Sequence, residues 1–238
     1  MWYAKPTYGY VDSSTEAHAN ALSMAEIMYA AGWRKECVCA AIGNASQGES
    51  NLNPWRWESE YIPTYNEFLN WTTTQARSHG YGLFQFTPAN KYINSQNESL
   101  YPSSCHPNFS DRTGQAIDGD AQTKYFINQG IYSDWQAASY AYYYNAFMNV
   151  GVDITPWYDT TLTNFLNGVD NNGNALTLAQ LTVVFELCYE RPTDTNAANS
   201  YAARVSSAQY WYSELPNPPT PSQYGKMSWI YYLKHRRF

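Results

Sequence analysis

Apolar residues return at three- and four-residue intervals along most of the chain, and this period predicts a mainly helical protein. The first run starts at a Ser13/Glu16 capping box, places Ala21, Met24, Ala25 and Met28 on one face, and stops at Gly32. A second starts near Lys35 with Val38, Ala41, Ile42 and Ala45 on its stripe. It must end before Pro54, because the residue ahead of a proline is pushed out of the helical region. Glu49 therefore falls near its C-terminal end. From Trp55 to His79 no period holds, which predicts an irregular segment or short β elements. Loops that long in a compact domain usually carry function. Weaker helical patterns cover about 113–129 and 133–150. Clearer ones align Leu162, Phe165, Leu166 and Val169, then Leu178, Leu181, Thr182 and Phe185, then Ala198, Tyr201, Ala202 and Val205. Thr177 with Gln180 reads as a further capping box. The prolines from Leu215 to Pro221 end the helical pattern and predict an extended linker. The domain plan is thus an N-terminal extension over 1–12, one main unit over 13–213, and a Pro-rich linker with an aromatic, basic tail over 214–238.

Composition narrows the function. Of 238 residues only 14% are charged, against 17% aromatic with 23 Tyr and 9 Trp, so the polar surface falls to amides, hydroxyls and phenols. That balance suits a protein that handles sugars, although aromatics also fill cores and interfaces. The net charge of −6 and the scarcity of clustered Lys and Arg argue against a nucleic-acid partner. The one basic cluster, Lys234 to Arg237, reads either as a solvated tail or as a contact for an anionic surface. No apolar run is long enough to span a membrane, and the first ten residues form no apolar signal region.

Metal and redox chemistry find little support. Cys37 and Cys39 stand two apart on a helix and point away from each other, so they cannot bridge one another. A disulfide from either to Cys105 or Cys188 stays open beside the default of reduced, buried thiols. Neither Cys105 nor Cys188 has the neighbouring partner that a zinc site needs, and no cofactor is expected. Asp170-Asn-Asn-Gly-Asn174 misplaces the glycine of a calcium loop and lacks its closing Glu, so it reads as a turn between helices.

Glu49 draws attention by position. It lies four residues past Ala45, seven past Ile42 and eleven past Val38, on the face of the apolar stripe. A carboxyl there loses hydration and meets the negative end of the helix dipole, and both effects favour its protonated form. That is the state a general acid needs near neutral pH. Alternatively the helix unwinds at Gly48 and leaves Glu49 an ordinary surface residue.

Three segments sharpen the choice: Gly43-Asn-Ala-Ser-Gln-Gly-Glu-Ser-Asn-Leu-Asn-Pro54, Gly80-Tyr-Gly-Leu-Phe-Gln-Phe-Thr-Pro88, and Tyr189-Glu-Arg-Pro192 followed by Arg204. In this order they resemble the motifs of the phage tail lysozymes, which are related to goose-type lysozymes and lytic transglycosylases. The resemblance spans about Thr15 to Tyr212. It implies an α+β lysozyme-like fold, mainly α, with a helical lobe and a smaller β-containing lobe around a substrate cleft. It makes Glu49 the catalytic acid, oriented by Ser50, with Gln85 and the backbone near Tyr81 lining the cleft. Tyr189 and Glu190 match the family's late pair, though Glu190 fits equally a buried ion pair with Arg191 or Arg204. Tyr144-Asn145-Ala146 is similar to a Tyr-Asn-Ala segment of transglycosylases. Trp57, shortly after Asn53-Pro54, fits a sugar-stacking platform or loop filling.

The implied activity is cleavage of the β-1,4 bond between N-acetylmuramic acid and N-acetylglucosamine in peptidoglycan, by an enzyme of the phage tail acting on the cell wall with tail proteins as partners. Glu58, Glu60 and Glu67 are the candidates for a second carboxylate if water is the acceptor. Three other readings stand beside it: a lytic transglycosylase, an endolysin, and a catalytically inactive tail-structural or glycan-binding protein of the same fold.

Overall fold

The computed structural model describes residues 2–4, 14–49, 51–56, 58, 79–87, 89, 91–92, 114–115 and 118–219. The fold is mainly helical. A short strand β1 (Tyr3–Ala4) pairs antiparallel with β2 (Gly114–Gln115). The helices are α1 (Ser14–Ala30), α2 (Lys35–Asn44), α3 (Asp118–Tyr125), α4 (Ile131–Asp134), α5 (Tyr140–Asn149), α6 (Leu162–Asn167), α7 (Leu178–Phe185) and α8 (Asp194–Glu214). Three π-helical turns interrupt or extend them at Ala45–Glu49, Phe126–Gly130 and Glu186–Glu190.

Most helices form where the apolar period places them, and the departures have local causes. The second helical pattern is α-helical only to Asn44 and then widens into the first π turn, which ends on Glu49. The pattern over 113–129 opens on strand β2 rather than on a helix and is helical only from α3 into the second π turn, which α4 then follows. The pattern over 133–150 is broken, because residues 135–139 are not helical before α5 starts, with Trp135 and Ser139 extended. The Trp135 indole donates to the Thr160 carbonyl at 3.1 Å, which holds that break against the opposite loop. Thr177 and Gln180 form the expected capping box, each side chain bonded to the other's backbone N–H.

The core centres on α2, which is buried from Cys37 onward and packs between α7 and α8. At Gly43 a Cβ would stand 2.7 Å from the Ala208 Cβ and 2.8 Å from its Cα, so the absent side chain sets how closely α2 and α8 approach. Cys37, Cys39 and Cys188 are free and buried. Burial pushes all three thiols up to about 12, leaving them inert core residues. Cys105 lies outside the described residues. Trp2 and Ala4, from the segment before the first helix, are buried in the same core. Beyond the last helix Leu215 is buried too, and the Tyr29 hydroxyl donates to the Pro216 carbonyl at 3.0 Å.

The Asp170–Asn174 segment is a turn, as its sequence predicts. Asp170 Oδ1 accepts the backbone N–H groups of Asn172 and Asn174, both at 2.8 Å, and Oδ2 accepts the Asn174 amide at 2.9 Å. The Asn174 side chain is the chief reason that this carboxyl ionises below its ordinary range.

Two predictions follow from these packing and turn geometries. Gly43→Ala gains about 1 kcal/mol of helix propensity, yet meets the backbone of α8, where overpacking costs about 1–3 kcal/mol. Its denaturation midpoint should fall, and a rise would show that α2 and α8 can move apart freely. Because the folded-state pKa of Asp170 is depressed, its contribution to stability is complete above the unfolded value of about 3.9 and is lost as pH falls through the folded one. The difference in melting temperature between the wild type and Asp170→Asn should therefore be widest near neutral pH and shrink below about pH 4. A gap independent of pH would assign the turn to other bonds.

Candidate active site

The first motif is a helix end locked from behind. In the π turn Ala45–Glu49, the buried Ser46 hydroxyl lies 2.6 Å from the Ser207 hydroxyl of α8 and accepts the Trp211 indole N–H at 3.2 Å. Inserting one extra residue per turn in this way is common at functional sites. The backbone then reverses through Asn51 and Leu52, at φ 46° and 60°, a left-handed conformation that costs about 1–2 kcal/mol per residue away from glycine. Asn20 holds that turn in place. Its buried amide donates to the Leu52 carbonyl and to the Tyr3 carbonyl, both at 2.7 Å. The structure describes the backbone at Glu49, while Ser50, Trp57, Glu60 and Glu67 lie outside the described residues.

The second motif is a tight hairpin. Gly82 donates to the Arg56 carbonyl at 2.9 Å, and Glu58 donates to the Gly80 carbonyl at 3.0 Å, so residues 56 and 58 run as a short antiparallel ladder beside 80 and 82. Tyr81 and Phe86 pair across the hairpin. Gly82 has φ 85° and a Cβ there would lie 2.2 Å from the Gln122 side-chain oxygen, so only glycine fits. Gln122 is fully buried and bridges the two motifs: its oxygen accepts the Leu83 N–H at 2.8 Å, and its amide donates to the Pro54 carbonyl at 2.6 Å. Nothing in the local sequence around Gln122 marks it, since its partners lie 39 and 68 residues away.

Aromatic packing ties the hairpin to the third motif. The Phe84 ring stacks on Phe126 with centroids 3.8 Å apart and meets Tyr189 edge-on at 6.3 Å. Tyr189 in turn packs on Phe126 at 5.2 Å and Phe185 at 5.0 Å. The aromatic residue of Gly-Leu-Phe-Gln is thus a core plug. Tyr81 is fully buried as well, stacked 6.4 Å from Tyr92.

Between hairpin and third π turn lies an open cleft of about 360 Å³, whose lining includes Glu58, Gln85, Tyr189, Glu190 and Arg191. Gln85 sits at φ 44° and its amide donates to the carbonyls of Gly82 at 2.9 Å and Arg56 at 3.2 Å. Both donor hydrogens are spent on the hairpin, which leaves the side-chain oxygen as the group Gln85 presents. Glu58 Oε2 accepts the Gly80 N–H at 2.6 Å. Lys91 and Asp134, also in the lining, pair with each other at 2.9 Å.

The buried ion pair forms one turn earlier than Glu190. Arg204 joins Glu186 at 3.0 Å with both side chains almost wholly buried, and also donates to Asn44 at 2.9 Å. Tyr144 and Asn145 do not reach the cleft lining: Tyr144 stacks 4.5 Å from Tyr140, and Asn145 is exposed. Their neighbour Tyr143 reaches the rim instead, donating to the Pro192 carbonyl at 2.8 Å. Burial pushes its phenol up to about 12, so this donor is kept at any physiological pH. Trp55 is buried at 6% exposure and serves the core.

Gln122→Ala removes a donor and an acceptor together and strands the Leu83 N–H and Pro54 carbonyl, each worth about 1–3 kcal/mol when buried and unpaired. Its melting temperature should drop clearly, and amide exchange at Leu83 should quicken more than exchange in α5. Uniform loosening across both would show that Gln122 is no specific tie between the motifs.

Comparison with known proteins covers the stretch of chain that carries these motifs. Morphogenesis protein 1 of Bacillus phage B103 is 26% identical over 216 residues, which is 90% of this chain and 43% of that protein. The chain thus spans less than half the length of that relative. The family model of the phage tail lysozymes matches residues 19–215, from α1 through the end of α8, and the chain belongs to that family.

Proposed function

We propose that this protein cleaves the β-1,4 bond between N-acetylmuramic acid and N-acetylglucosamine in peptidoglycan, with Glu49 as the proton donor to the leaving oxygen. One observation carries the reading: the turns bearing the three motifs are tied into one unit, Gln122 joining the first to the second and Phe84 with Tyr189 joining the second to the third, and the second and third motifs line one cleft. A merely structural descendant has no need of such ties between strained turns, because strain of this kind persists where pre-organisation serves a site. Membership in the phage tail lysozyme family supports the same chemistry. The similarity to a phage morphogenesis protein supports a place in the virion, where the enzyme would open the wall during infection.

In this reading a glycan strand lies in the cleft with its polar groups toward Gln85 Oε1, Glu58 and Glu190. Ser50 orients Glu49, and Trp57 offers a stacking face to a sugar ring. Glu58 is the candidate among the described residues for the second carboxylate. One of its oxygens is held by Gly80 and the other has no partner among the described residues, an arrangement suited to positioning water. Glu60 and Glu67 keep their candidacy from sequence.

The test is cleavage of purified cell walls. Glu49→Gln should keep the fold and lose about 10²–10⁴-fold in rate, the usual contribution of general acid catalysis. Lysis at the wild-type rate by that variant would remove Glu49 from the chemistry. Mass spectrometry of the released fragments identifies the acceptor: reducing ends mean water, and products lighter by one water mean attack by the sugar's own hydroxyl. If water is used, Glu58→Gln should be as inactive as Glu49→Gln, and full activity there would pass the role to Glu60, Glu67 or polar groups alone.

A further inference from the structure

Arg191 occupies a position that argues for glycine. It closes the third π turn at φ 51° and ψ 50°, with its N–H donating to the Glu186 carbonyl at 2.8 Å. At such a left-handed closing position glycine carries no steric penalty, whereas a side chain does. The next residue is Pro192, and the residue before a proline is driven toward extended backbone, so the conformation is disfavoured twice. An arginine here is therefore not explained by the backbone.

Its side chain supplies the reason. Arg191 is exposed and lines the cleft, and among the described residues its guanidinium has no hydrogen bond or ion pair. The other cations of the lining differ. Lys91 is committed to Asp134 at 2.9 Å, and Arg56 is half-buried with a contact of its own. With Arg204 committed to Glu186 at 3.0 Å in the core, Arg191 is the exposed arginine of the lining, and its planar fork is available to an incoming ligand. Such a fork matches a carboxylate through two parallel N–H···O bonds.

We propose that Arg191 is a specificity residue, holding a carboxylate of the peptide branch that hangs from the N-acetylmuramic acid in the cleft. The inference rests on the glycan-cleaving reading above and adds the part of the substrate that is read besides the sugar. An acetamido or hydroxyl oxygen of the glycan can accept from one arm of a guanidinium, while the branch brings carboxylates that match both arms and the charge. The strain at Arg191 is then the cost of fixing this cation at the rim on a short rigid turn.

The experiment measures binding by calorimetry in the Glu49→Gln background, so that the ligand is not consumed. Two probes are used: a soluble peptide-bearing tetrasaccharide released from peptidoglycan, and the same tetrasaccharide after its free peptide carboxylates have been converted to primary amides. Arg191→Gly should lower the preference for the free-carboxylate form about tenfold or more, the loss expected for a hydrogen bond to a charged group. It should also abolish the salt dependence of that preference, and leave the melting temperature equal to or above that of the parent because glycine relieves the turn. Arg191→Lys, which keeps the charge and loses the fork, should restore part of the preference. Equal weakening toward both probes, no change toward either, no measurable binding of either, or a lowered melting temperature in Arg191→Gly would overturn the proposal. Failure of the wild type to cut any glycan would instead remove the glycosidase reading, and that outcome is read separately from the binding ratio.

Discussion

The arrangement of the cleft depends on one buried ion pair. Glu186 and Arg204 have both left water, which is costly for each charge and is offset only where geometry and added hydrogen bonds are good. Here Ser200 donates to Glu186 at 2.6 Å, Asn44 accepts from Arg204 at 2.9 Å, and the Asn44 amide reaches the Thr182 carbonyl at 3.0 Å. The pair thus fixes α2, α7 and α8 to one another at a single level. At that level α2 passes into the π turn ending on Glu49, and α7 passes into the one bearing Tyr189 and Glu190. A slip of α8 against α7 would separate the charges, and a slip of α2 would break the Asn44 bonds.

Above this level the chain spends stability on shape. All the non-glycine residues with positive φ among those described, Asn51, Leu52, Gln85 and Arg191, fall on the three motifs. The helices away from them are ordinary. Left-handed side chains persist only when surrounding bonds over-determine them. Asn20, Gln122 and the Ser46–Ser207–Trp211 cluster supply such bonds from α1, α3 and α8. The scaffold thus braces the first two strained turns from separate helices.

The helices were legible because their period reports a two-sided environment: Val38, Ala41 and Ile42 are buried, as their stripe requires. The capping box at Thr177 was legible for the same local reason. The π turns were not, because adding one residue to a helical turn leaves no mark on a three-to-four-residue period. Glu186 was missed as the partner of Arg204 because an ion pair between helices is set by their rotation, and Glu190 in sequence looks equally placed. Gln122 was invisible, since a lone glutamine in a polar helix becomes a clamp only once two distant turns are folded onto it. Of the cleft's cations, Lys91 was passed over and Arg191 was weighed only as an ion-pair partner of Glu190, for the related reason that the cleft is assembled from different segments. The family motifs identified Glu49, Gln85, Tyr189 and Glu190 as candidates, and the structure gathers the last three with Glu58 at one cleft.

The ladder that joins residues 56 and 58 to 80 and 82 has a wider implication. The two ends of the interval from 59 to 79 are fastened to each other as well as to the core, so the paired ends hold their places whatever the length between them. Closing a longer loop costs only slowly more entropy. Changes of length in that interval therefore leave the cleft residues Glu58 and Gln85 in position. In such a fold, adaptation to new cell walls can proceed by altering the length between two anchored ends.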